Sequence, residues 1–211
     1  MIKKLALGVA VSGLCAWQAG AVGGWVAYSS LDYAHGNVDN PVIGNEFTVS
    51  ASGPLTINEL GAYDEYSTGF GADIVKVAIY NAAGAIVSPI ASFTGNPTRV
   101  GLYTYQGISP ITLAAGQTYY VAATGYGAAD VNFYNTTINS TKGLTEVESF
   151  YGNGSLGSTL AIGGLSEFTP TALGAGTFGL VPEATDFALA GVALLGLVYF
   201  GRRYAQNLKL A

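Results

Sequence analysis

The stretch IVKVAIYNAAGAIV, residues 74–87, limits the fold more than any other feature of this chain. Val75, Val77 and Ile79 alternate with Lys76, Ala78 and Tyr80, the period of two that divides a strand's side chains between two faces. Asn81-Ala82-Ala83-Gly84 then supplies a hairpin turn in which glycine can take a left-handed position. Residues 85–93 return as a second strand broken by Pro89, which has no amide for a ladder. The same grammar recurs. Residues 46–51 and 55–63 flank Ser52-Gly53-Pro54, and residues 108–113 and 117–124 flank Ala114-Ala115-Gly116, so each set is expected as a further strand pair around a turn. Short strands at this spacing, with no helical period between them, predict an all-β fold, an antiparallel β-sandwich.

Composition agrees with an exported β-protein. Of 211 residues, 30 are glycine and 14 tyrosine, and only 10% are charged, whereas a cytosolic helical chain would be rich in Lys, Glu and Ala. Five of the eight basic residues lie in the tails: Lys3, Lys4, Arg202, Arg203 and Lys209. Residues 22–182 hold three basic and eleven acidic residues, a net charge of −8. Such a body repels phosphate backbones, which excludes nucleic acid as a partner.

Both ends read as topogenic signals. Lys3 and Lys4 precede an apolar run from Leu5 to Trp17, and Ala19-Gly20-Ala21 offers the small residues that signal peptidase accepts. Residues 1–21 are therefore expected to be a signal peptide, with cleavage set by Ala19 and Ala21. The single cysteine, Cys15, falls inside it and follows Leu14 rather than the small residue of a lipoprotein signal. The mature chain then has no thiol, and packing alone must hold it. At the other end, residues 187–201 carry no charge. As a helix those fifteen residues reach roughly 22 Å, so a bilayer core of ~30 Å requires extension back toward Glu183 and Asp186 at the outer interface. Arg202 and Arg203 would stop the span on the cytoplasmic side.

Val181-Pro182-Glu183, an apolar run rich in Gly, Ala and Leu, and then Arg202-Arg203 resemble the PEP-CTERM sorting signal. That resemblance implies an exported protein of a Gram-negative bacterium that makes exopolysaccharide. It further implies a C-terminal helix as anchor and processing near Val181, Pro182 and Glu183 by an exosortase, a membrane cysteine protease. Two departures stand out: Ala184 replaces the usual second proline, and Tyr204 to Ala211 extend beyond the arginines. A second resemblance rests on Phe47-Thr48-Val49, Leu55-Thr56-Ile57 with Leu60-Gly61, Val77-Ala78-Ile79-Tyr80, the Ala83-Gly84 turn and Leu113-Ala114-Ala115-Gly116-Gln117-Thr118-Tyr119. Together these are similar to a jelly-roll domain of unknown function found in exported bacterial proteins. The expected organisation is a signal peptide over 1–21, a jelly-roll-like ectodomain over 22–164 and a Gly/Thr-rich stem over 165–180. The sorting signal then covers 181–204, with a membrane helix over 185–201, and 205–211 form a cytoplasmic tail.

The inventory for catalysis is thin. His35 is the only histidine, and no Gly-x-Ser-x-Gly elbow exists to pair with it. His/Cys zinc sites fail on count, and no glycine loop precedes the Lys-Ser or Lys-Thr of a phosphate cradle. Asp64, Glu65 and Asp73 are candidate ligands for Ca²⁺, a hard cation that wants oxygen, although they form no Asp-x-Asp-x-Asp-Gly array. Tyr103, Tyr105 and Tyr126 are candidate glycan contacts, since flat rings with polar tips suit sugars; sandwich packing is the competing account of the same residues. The expected function is non-enzymatic: an exported surface or matrix protein associated with exopolysaccharide. Its processing partners would be signal peptidase and exosortase. A carbohydrate-binding module is the second reading and a polysaccharide-active hydrolase the third.

Overall fold

The computed structural model describes residues 25–29, 42–64, 69–70, 73–97, 99–127, 137–138, 143–168 and 176–180. Ala19, Ala21, His35, Glu65, Val181, Pro182, Glu183, Arg202 and Arg203, and with them the expected signal peptide and membrane helix, lie outside these residues. Among the described residues, no helix is long and apolar enough to cross a membrane.

Among the described residues thirteen strands appear in chain order: β1 (Trp25–Val26), β2 (Tyr28–Ser29), β3 (Val42–Val49), β4 (Leu55–Tyr63), β5 (Val75–Asn81), β6 (Ala91–Phe93), β7 (Arg99–Val100), β8 (Tyr103–Leu113), β9 (Thr118–Thr124), β10 (Thr137–Ile138), β11 (Leu144–Gly152), β12 (Ser166–Phe168) and β13 (Gly176–Leu180). They form a five-stranded sheet in the order β1-β13-β4-β8-β7, a six-stranded sheet in the order β12-β11-β3-β9-β5-β6, and a small β10-β2 pair. Every pairing is antiparallel. The fold is all-β, as the alternation predicts.

The two large sheets meet face to face. The Phe47 ring of β3 lies 5.0 Å from the Phe178 ring of β13. A Cβ added to Gly176 would stand 3.2 to 3.6 Å from Val77, Val121 and Ala123, so the backbone of β13 sits directly on the six-stranded sheet. One side is closed where the Ser92 amide of β6 donates to Gln106 Oε1 of β8.

Turn chemistry was legible, but strand partners were less so. The Asn81–Gly84 turn is a true hairpin: Asn81 Oδ1 accepts from the amides of Ala83 and Ala85, and Gly84 takes φ +77°. The other two expected pairs are arches. β3 and β4 lie in different sheets, as do β8 and β9, because β4 pairs with β8 and β3 with β9. Each Gly-containing turn therefore carries the chain across the core. The expected stem is also corrected. Residues 166–168 add β12 to β11, and residues 176–180 are a buried central strand between β4 and β1. Phe178 is fully buried there against Phe47.

Candidate functional site

One end of the sandwich gathers most of the residues marked by their chemistry. Asp64 follows β4 and is only 2% exposed. Its amide donates to the Leu102 carbonyl at 2.9 Å, and its own carbonyl accepts from Arg99 Nη1 at 2.7 Å. Its Oδ1 is buried without a hydrogen-bond partner among the described residues. Asp73 donates its amide to the Phe70 carbonyl, and its carboxylate lies over Gly127, where a Cβ would come within 2.7 Å of Oδ2. Among the described residues, no three His, Cys, Asp or Glu side chains group to hold a metal. The Arg99 guanidinium is bonded to the backbone of Asp64, so the residue placed first in the calcium set already has a cation against it. Arg99 was not marked by sequence, since nothing local links positions 64 and 99.

The three candidate glycan contacts do come together, but as structure. Tyr103 is 3% exposed and Tyr126 is buried, so neither offers a free ring face to a sugar. The Tyr103 ring packs edge-on against Tyr63 at 5.7 Å, and burial holds its hydroxyl well above the ordinary tyrosine range. The Tyr126 hydroxyl accepts from the Tyr63 amide at 2.9 Å and donates to the Tyr63 carbonyl at 3.3 Å. The β13–β4 ladder runs to Gly176↔Ala62, so one side chain satisfies both backbone groups of the next residue. Tyr105 is half-buried. Its ring crosses Gly61, where a Cβ would meet it at 2.8 Å, and its hydroxyl is bonded to Thr177. Glu59 shares that face of β4, its carboxylate beside Gly179 and its pKa raised by burial.

No family model, no curated protein and no solved structure matches this chain. Chemistry must therefore be read from its own geometry.

That geometry holds a second polar group that the sequence did not advertise, between β3 and β11. Ser149 Oγ donates to Asn45 Oδ1 at 2.9 Å and lies 3.4 Å from Glu146 Oε1. Asn45 is fully buried and Ser149 1% exposed. In Thr145-Glu146-Val147-Glu148-Ser149, unbroken alternation would set Glu146 and Ser149 on opposite faces. A register shift between Glu146 and Glu148 pairs Glu146 with Phe47 and Ser149 with Asn45, two positions on the same face of β3. Such a bulge re-aims a side chain and leaves no signature in residue type. Burial pushes the Glu146 carboxyl up, opposed by its bond from Ser149, and burial together with the Glu146 charge pushes up the hydroxyl of Tyr28.

Proposed function

We propose that this chain is an exported, non-catalytic protein of the bacterial surface or extracellular matrix, associated with exopolysaccharide and carrying a jelly-roll-like ectodomain. In this reading residues 1–21 direct export, and residues 185–201 hold the protein in the membrane until an exosortase acts near Val181-Pro182-Glu183. The observation that carries it is an adjacency. Leu180, the last residue of β13, pairs with Ile57 and Trp25 and is buried in the core, and the Val181-Pro182-Glu183 pattern begins at the next residue. A cut on the far side of Leu180 would remove no described residue of the sheets.

Fractionation of the native cells tests this. The parent chain is expected outside the membrane fraction at steady state, and a Pro182→Ala, Glu183→Ala double variant is expected to stay in it. Equal distribution of the two would sink the processing reading.

A carbohydrate-binding module is the second reading, narrowed to Tyr105 and Glu59. These two lie on the side of the five-stranded sheet turned away from its partner, next to Gly107, around which a Cβ would meet nothing within 4 Å. Loss of glycan retention in a Tyr105→Ala variant, with the fold intact, would favour it.

A further inference from the structure

The polar group between β3 and β11 has the parts of a reaction. Val49 donates its amide to Gln117 on the β9 side, so by alternation Asn45 also turns its backbone groups toward β9. Toward β11, Asn45↔Ser149 is then a non-hydrogen-bonded pair, the kind whose Cα atoms approach to about 4.5 Å and whose side chains are closest. The Ser149 hydroxyl stands between an amide and a carboxyl. On one side Asn45 Oδ1, at 2.9 Å, is one bond from the Cγ carbon; on the other is Glu146 Oε1 at 3.4 Å. Cγ lies on the axis of the soft amide torsion, which re-aims only Oδ1 and Nδ2, so it is a change at χ1 of Asn45 or Ser149 that brings Cγ within attack range of about 3–3.5 Å. Bulges cluster beside reactive groups, and the one at Val147 is what delivers Glu146 to this face.

We propose that Ser149 and Asn45 become joined by an intramolecular ester, with Glu146 as the proton-transfer group. Ser149 Oγ attacks Asn45 Cγ and its proton passes to Glu146. The Cγ–N bond breaks as Glu146 returns that proton to the departing nitrogen, which leaves as ammonia. The products are one Cγ–Oγ ester and one ammonia, with no oxidant, reductant or co-reactant. A carboxyl whose pKa is raised by burial is suited to both halves of that exchange. Near-complete burial of Asn45 and Ser149 keeps out the water that would hydrolyse the product. In a chain whose only cysteine lies within residues 1–21, this is a route to a covalent tie between neighbouring strands.

Intact-mass and peptide mass spectrometry of the protein from its own cells tests the proposal. The expected mass lies one ammonia below that of the sequence between the same termini, with a cross-linked peptide pair containing residues 45 and 149. Hydroxylamine should split that pair. Ser149→Ala and Glu146→Gln should each restore the full mass, the second while keeping the side-chain volume and both partners. Full mass in the parent chain overturns the proposal. Succinimide closure at Asn153-Gly154, where both residues are exposed, loses the same mass. A loss that survives Ser149→Ala, or maps to residue 153, therefore also overturns it. Should Ser149→Ala fail to fold, the peptide map of the parent and the Glu146→Gln mass decide.

Discussion

Toward the five-stranded sheet, the six-stranded sheet presents Phe47, Val77, Ile79 and Val121, and is met by Phe178 from a paired central strand. Away from it, the same strands present Val42, Ala78, Tyr80 and Ala122, and are met by Leu156 and Leu160 from an irregular segment. The first face is sheet on sheet, fixed by ladders of long sequence separation. The second is a strap, tied by the Leu160 amide to the Gly84 carbonyl at 2.7 Å, the Ile86 amide to Ser158, and the Tyr80 hydroxyl to Gly157. A strand can thus be buried on both faces by partners of unequal cooperativity. Losing the sheet partner should unfold the domain, whereas losing the strap should open only one side.

The largest effect is expected at Phe178→Ala, which empties the contact between the sheets and should cost about 3–5 kcal/mol by urea denaturation. A loss under about 1 kcal/mol would mean that β13 is not central. Leu160→Ala should cost about 2–3 kcal/mol. Its hydrogen exchange should accelerate over residues 153–165 while β3, β5 and β9 stay protected, and equal acceleration in both places would erase the distinction between sheet partner and strap. Tyr126→Phe leaves the Tyr63 amide and carbonyl without that hydroxyl, at about 1–3 kcal/mol. No change in its denaturation midpoint would show that the strand end needs no cap. The smallest effect is a pH slope. Because burial raises the folded pKa of Glu146, the unfolded chain releases this proton first. The stabilisation is complete below the ordinary carboxylate range and is lost as pH rises through the raised folded value. Glu146→Gln should flatten that decline, and an unchanged profile would place the carboxyl in water.

How much of the fold the sequence disclosed depends on the range of each signal. Residues 55–63 form β4 as expected, residues 75–81 form β5, and Gly84 takes its left-handed turn, all set by neighbours within a few positions. Partner choice was hidden, because Gly53-Pro54 and Gly116 can serve an arch as readily as a hairpin. The placing of residues 176–180 was hidden too, since GTFGL has only two large side chains, and its glycines read as linker until Gly176 is seen against Val77 and Val121. Tyr103, Tyr105 and Tyr126 were visible as a cluster, but ring burial depends on what covers them. The grouping of Asn45, Glu146 and Ser149 depended on a bulge, which alternation can only contradict. Arg99 at Asp64 is a contact across 35 positions with no local trace.

The central claim of the proposed function is that the residues beyond Leu180, the last described residue of β13, are a removable handle. Mass spectrometry of both termini of the protein recovered from its native cells tests this most directly. The expected product is a chain that starts at Val22 and ends near Pro182, with Leu180 retained. A chain that keeps Arg202 and Arg203 would contradict the claim, and would make the apolar run a permanent anchor.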